Sequence, residues 1–193
     1  MDVLVVTVVH TPLDARIHRR QVSALLDAGH AVTYAAPLSG YGVGADELDP
    51  RIEVVDLPRA RGRRRLTALR AARRLVRRLA GHVDVVVLHD PELLLAVVGH
   101  RGPVVWDVHE DLAGALADKA WLPSLLRGLV VRAVRLLERW AERRAHLLLA
   151  EEGYQDRFRK DHPVVPNLPP LPDAPRGASG LSLIHISEPT RPY

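Results

Sequence analysis

Cysteine is absent from this 193-residue chain, which excludes disulfides and thiolate chemistry and fits a reducing compartment. Long apolar runs are absent too: none approaches the roughly 20 residues that a membrane-spanning helix needs. Acidic Asp2 stands where a secretory leader would carry positive charge, so no targeting segment is expected and the reading is cytoplasmic. The turn from His10 to His18 contains no glycine. A dinucleotide site needs Gly-x-Gly-x-x-Gly for the backbone to approach a pyrophosphate, so NAD and FAD are excluded, and no phosphate-binding P-loop occurs elsewhere. Histidine pairs at His-x-His or His-x-x-x-His spacing are also missing, so no metal and no cofactor are expected. Lysine is nearly absent, limited to Lys119 and Lys160. The net charge of +4 therefore rests on arginine, a bias that GC-rich coding also produces.

What the chain does have is a set of valine-rich runs that end on histidine. Val3–Val9 leads to His10, Val83–Leu88 to His89, and Val104–Val108 to His109. Such runs read as buried strands of a parallel sheet covered by helices on both faces. Ligands of these sheets bind beyond the carboxyl ends of the strands. Three histidines sent to that edge, near Asp14, Asp90, Glu110 and Asp111, predict a polar site there.

The order alternates strand and helix. Strand 3–9 is followed by a helix carrying Ile17, Val22, Leu25 and Leu26, which Gly29 closes. Strands 30–36 and 52–57 come next, separated by the glycine-rich loop of Gly40, Gly42 and Gly44. Residues 63–80 predict a basic amphipathic helix with Leu66, Leu69, Leu75, Val76 and Leu79 on its buried side. From Arg59 to Val83 there are ten arginines and no acid, which offers a surface for anionic membrane but no specific nucleic-acid motif. Strand 83–88, a short helix from Pro91 to about Val98, strand 103–108, a long helix over 125–145 and strand 147–150 complete an α/β series with a mostly parallel sheet.

The N-terminal unit is expected to span 1–162. Five prolines within Pro163–Pro172 mark an extended linker, taken as 163–181. Residues 182–193 abandon the composition of everything before them and resemble a translated sequencing adapter. They are treated as non-native, with natural sequence expected to continue past about Leu181.

Several strand-end residues are ambiguous taken singly. Asp14 suits either a helix N-cap or a first-turn polar contact, and Arg16 suits a phosphate or carboxylate in the crevice. His89 and Asp90 precede Pro91 at an ordinary helix start. Asp107 and His109 share one face of their strand by alternation, so the carboxylate is placed to orient the imidazole.

Their order and spacing resemble a known family. Val9-His10-x-x-x-Asp14-x-Arg16-Ile17 followed by Leu25-x-x-x-Gly29-His30-x-Val32 is similar to the opening of the retaining family-4 (group 1) glycosyltransferases. So are His89-Asp90-Pro91, Asp107-Val108-His109-Glu110, Glu138-x-x-x-Glu142-Arg143-Arg144-Ala145-His146 and Val164-Val165-Pro166-Asn167. The resemblance covers about residues 1–170. It implies a Rossmann-like sheet forming the N-terminal, acceptor-side half of a GT-B enzyme that moves a sugar from a nucleotide-sugar donor to a sugar or lipid-linked acceptor. Cell-surface polysaccharide or glycolipid synthesis is the usual setting. His109 is then the catalytic candidate near the transferred sugar, with Asp14, Arg16, His89, Asp90 and Glu110 as substrate-binding candidates. The donor half is missing, and with it the expectation of activity from this chain alone. The alternatives are a nucleotide-sugar epimerase of similar architecture and a non-catalytic α/β binding module.

Overall fold

The structure, a computed structural model, describes residues 1–109 and 124–167. Six strands form one all-parallel sheet: β1 (Asp2–Val6), β2 (Ala31–Ala36), β3 (Glu53–Asp56), β4 (Val85–Leu88), β5 (Val104–Val108) and β6 (His146–Leu149), in the order β3-β2-β1-β4-β5-β6. Alternation along β1 divides the core. Val3 and Val5 pack on one face with Ile17, Val22, Leu26 and Tyr34, while Leu4 and Val6 pack on the other with Ala68, Ala72, Leu75 and Val76. Helices on both faces of a parallel sheet make the α/β, Rossmann-like architecture that the sequence predicts.

Among the described residues the α-helices are α1 (Ser23–Asp27), α2 (Leu38–Tyr41), α3 (Arg65–Leu79) and α4 (Ser124–Arg144). The first turn of α3 parts company with its sequence pattern. Leu66 was expected on the buried side of α3 but is 61% exposed, and the inward stripe runs Ala68, Ala72, Leu75, Val76. Nine residues, two and a half turns, separate Leu66 from Leu75, which puts the two leucines on opposite sides of the helix. Leu69 and Leu79 are only half-buried.

β1 stops at Val6, short of the predicted 3–9, because a side chain captures the next amides. Asp90 Oδ2 accepts the N–H groups of Val8 at 2.5 Å and Val9 at 3.2 Å, and the Thr7 hydroxyl at 3.0 Å. Thr7 N–H still donates to Ala35 O of β2 at 2.9 Å, and the chain from Val8 to His10 then leaves the ladder as a loop pinned to the end of β4.

The start of the proline-rich stretch belongs to the sheet edge. Leu149 N–H donates to Pro163 O at 2.9 Å and Val165 N–H to Leu149 O at 2.7 Å, a short parallel bridge beside β6. The segment before it is fixed on α4 through Glu142 Oε1, which accepts the N–H groups of Arg159 at 2.6 Å and Lys160 at 2.9 Å. Residues 168–193, with most of the predicted linker and the whole aberrant tail, lie outside the described residues, as do Glu110 and Asp111.

Candidate functional site

In this strand order the direction of winding reverses between β1 and β4, and the crevice at that point is where such sheets bind ligands. His10 follows β1, His89 follows β4 and His109 follows β5, so the three chain segments meet there. The rings converge: His10 and His109 have centroids 4.6 Å apart, and His89 and His109 5.9 Å. His10 and His109 keep 18% and 14% of their side-chain surface exposed, whereas His89 has none.

The hydrogen-bond geometry orders the ring protons. His109 Nδ1 lies 3.2 Å from the carbonyl oxygen of Asp107, which can only accept, so Nδ1 carries the proton. In the neutral ring Nε2 is then an acceptor, 2.9 Å from His10 Nε2. The His10 Nε2–H that serves it is also 3.3 Å from Asp90 Oδ1. The result is a chain running Asp107, His109, His10, Asp90, with a carboxylate-bearing residue at each end and two imidazoles at the mouth. A polar group entering the crevice would meet a ring whose tautomer and orientation are already set.

Asp107 is the hub beneath them. It is fully buried, and Arg16 holds it as a fork, Nε to Oδ2 at 2.7 Å and Nη2 to Oδ1 at 2.6 Å. Gln21 Nε2 adds a third bond at 2.8 Å. Burial alone would push the Asp107 carboxyl up, but the bonds it receives, Arg16 foremost, hold it far below the usual carboxylate range. Arg16 and Gln21, five residues apart, both reach Asp107 because Ile17–Val22 winds as a π-helix, with Gln21 N–H donating to Arg16 O at 3.1 Å. An ordinary α-turn would have aligned Arg16 with Arg20. This wider turn carries no sequence signal, and Gln21 is a residue that reasoning from sequence missed.

The structure redefines four expected substrate contacts. Arg16 was expected to meet an anion in the crevice; its anion is Asp107, and its remaining Nη1 donates to Val165 O at 2.9 Å. Asp14 is a cap, its Oδ1 accepting the N–H groups of Arg16 at 2.8 Å and Ile17 at 3.0 Å. His89 and Asp90 are 2% and 1% exposed, so they support the crevice from behind instead of lining it. His10, which closes the histidine chain, takes the exposed place beside His109.

His89, Asp107 and His109 lie close enough to share a cation, with one ligand atom from each within 4.8 Å of the others. The donor set does not fit one, because the Arg16 guanidinium already occupies both Asp107 oxygens.

Burial lowers the pKa of His89 despite the Asp107 carboxylate 3.2 Å away, so the ring stays neutral in the fold. Unfolded, the same ring takes a proton near its ordinary pKa of about 6.5. Below that pH the unfolded state binds more protons, and stability falls as pH falls, by at most about 1.4 kcal/mol per pH unit for this proton. Urea midpoints at pH 7.5 and 5.5 check this: the drop between them should be smaller in His89→Gln. An equal drop in the variant removes His89 as the cause.

The profile of Glycosyltransferase Family 4 matches residues 15–168, from the Asp14–Arg16 turn to the chain beside β6. The chain belongs to glycosyltransferase family 4. Its sheet is the N-terminal domain of the GT-B fold, and membership assigns a glycosyltransferase-type function acting on a sugar donor and an acceptor. No curated protein matches the chain. The family match spans β2 to β6 together with Arg16, Gln21, His89, Asp107 and His109. Among the described residues of this family-4 domain, no helix is long and apolar enough to cross a membrane.

Proposed function

We propose that this chain is the acceptor-side half of a retaining, nucleotide-sugar-dependent glycosyltransferase, with residues 182–193 non-native. The observation that carries the reading is the convergence of His10 and His109 at the switch point of a family-4 sheet, over a buried Arg16–Asp107 pair. In this reading His109 contacts the transferred sugar as its catalytic residue, and Glu110, next in sequence, is a further substrate-binding candidate. Asp14 and Arg16 hold the first turn, while His89 and Asp90 support the wall.

The enzyme works at the cytoplasmic face of a membrane, attached peripherally through α3. The support for this is an outer helix face carrying Arg70, Arg74, Arg77 and Arg78, with Leu66 exposed near its start. Each arginine near an anionic surface contributes about 1 kcal/mol, weakened by salt.

The test is a nucleotide-sugar panel offered to the uninterrupted natural reading frame and to this chain, with and without anionic vesicles. Transfer with retained anomeric configuration by the long form alone, faster on anionic vesicles, is the expected result. The contacts that lower the barrier form only when two halves close over the substrates. Interconversion of the nucleotide-sugar without an acceptor would instead establish an epimerase. A natural stop codon near 181 would favour the binding module.

A further inference from the structure

On the same carboxyl edge, at the ends of β2 and β3, lies an open cleft of about 610 Å³ that the histidine site does not use. Its lining includes Arg59, Arg61 and Arg64, against a single acid, Asp56. That acid is engaged from within the fold: the Ser39 N–H donates to Asp56 Oδ1 at 3.1 Å, and the Ser39 hydroxyl donates to Oδ2.

Arg59 is built into the wall. Its guanidinium stacks 3.7 Å over the Tyr41 ring, and Tyr41 donates its hydroxyl to Val9 O at 2.5 Å, next to His10. A side chain at residue 40 would prevent this, since a Cβ on Gly40 would come 2.6 Å from Arg59 Cβ. Arg61 and Arg64 are exposed, and among the described residues their guanidinium groups have no hydrogen bond or ion pair. The neighbouring Arg65 differs: it is bound to Glu92 at 2.6 Å. The floor is tied to the histidine loop, with Ala60 N–H donating to Val8 O at 2.8 Å.

We propose that this cleft holds a phosphate monoester group on the acceptor, which rests on the reading of this domain as the acceptor side. Two unpaired guanidinium forks beside a third, anchored one exceed what a carboxylate uses, since one fork satisfies both of its oxygens. A phosphate monoester carries close to two charges and three acceptor oxygens, enough to engage several forks at once. The acceptor is thereby either a soluble sugar phosphate or a phosphorylated lipid headgroup, and its reacting hydroxyl is presented toward the loop that carries His10.

The test is calorimetric titration of this chain, at matched ionic strength, with inorganic phosphate, glucose 1-phosphate, glycerol 3-phosphate, glucuronate and methyl glucoside. The phosphates should bind, with glucuronate at least about tenfold weaker and methyl glucoside silent. Preference for glucose 1-phosphate points to the sugar-phosphate source, and preference for glycerol 3-phosphate to the headgroup. Arg61→Ala and Arg64→Ala should each weaken phosphate binding by about tenfold, because each removes a charge-assisted pair. Arg135→Ala, an exposed arginine of α4 outside the cleft lining, should leave it unchanged. Absence of phosphate binding, equal binding of glucuronate, or equal weakening by Arg135→Ala overturns the proposal. None of these readouts depends on sugar transfer, so the cleft and the transferase reading fail separately. Transfer by the long enzyme to a neutral acceptor, indifferent to Arg61→Ala, would remove the cleft and leave the transferase standing.

Discussion

In the catalytically complete enzyme, His109→Ala should lower turnover by about 10²-fold or more, the usual consequence of losing a positioned polar contact in a closed, water-poor cleft. The fold should lose little. The His109 side chain is partly exposed, and its removal leaves His10 with Asp90 Oδ1 at 3.3 Å as a remaining partner. About 1 kcal/mol for the lost bonds corresponds to a melting shift of roughly 2–4 °C in a protein of this size. His10→Ala should be milder, since it removes the ring that sets the His109 Nε2 bond and not the contact itself. Because the two rings act through one hydrogen bond, the double variant should lose less than the product of the single losses. Steady-state kinetics beside thermal melts decide the matter. Unchanged kinetics in His109→Ala, or a large melting drop as its sole effect, would make His109 a structural residue.

Arg16→Met should destabilise the domain by about 3–5 kcal/mol, because it strands a buried carboxylate without its cation. Arg16 and Asp107 have 6% and 0% of their side chains exposed, so water cannot replace the missing partner. That loss is a large part of the 5–15 kcal/mol by which domains are typically stable, and the single variant is expected to express poorly. A second variant, Arg16→Met with Asp107→Leu, removes both charges and should recover most of the stability, since an apolar pair of similar volume often matches a buried ion pair. Urea unfolding of the wild type and the double variant gives the comparison even where the single variant fails to fold. A double variant no more stable than Arg16→Met would show that the pair is not the source of the loss. The double variant should nevertheless be a poor enzyme, because the same carboxylate lies 3.2 Å from His89 Nδ1 and 3.6 Å from His109 Nδ1.

The strands were legible because a parallel sheet buried on both faces needs continuous valine-rich runs, and four of the six lie within their predicted spans. β1 and β6 each start one residue early, at Asp2 and His146. Parallel strands also share one carboxyl edge, so histidines closing three runs had to reach the same side of the sheet. Amphipathic spacing located α3, yet counting leucines misassigned Leu66, since small Ala68 and Ala72 fit the inward stripe as well as larger residues do. The sequence by itself thus determined the class of fold, the edge that carries the site and the residue types collected there.

Which of those residues touch was decided by tertiary structure. Arg16 and Asp107 lie 91 residues apart, and His10 and His109 99 apart. Each pairing exists because β4 lies beside β1 and β5 beside β4, an order set by how the helices cover two faces and not by any local pattern. Local pattern likewise gave Arg16 and Asp90 as exposed polar candidates. Packing buried both, because a charge taken from water must find a partner, and the nearest ones, Asp107 for Arg16 and the amides of Val8 and Val9 for Asp90, come from distant parts of the chain.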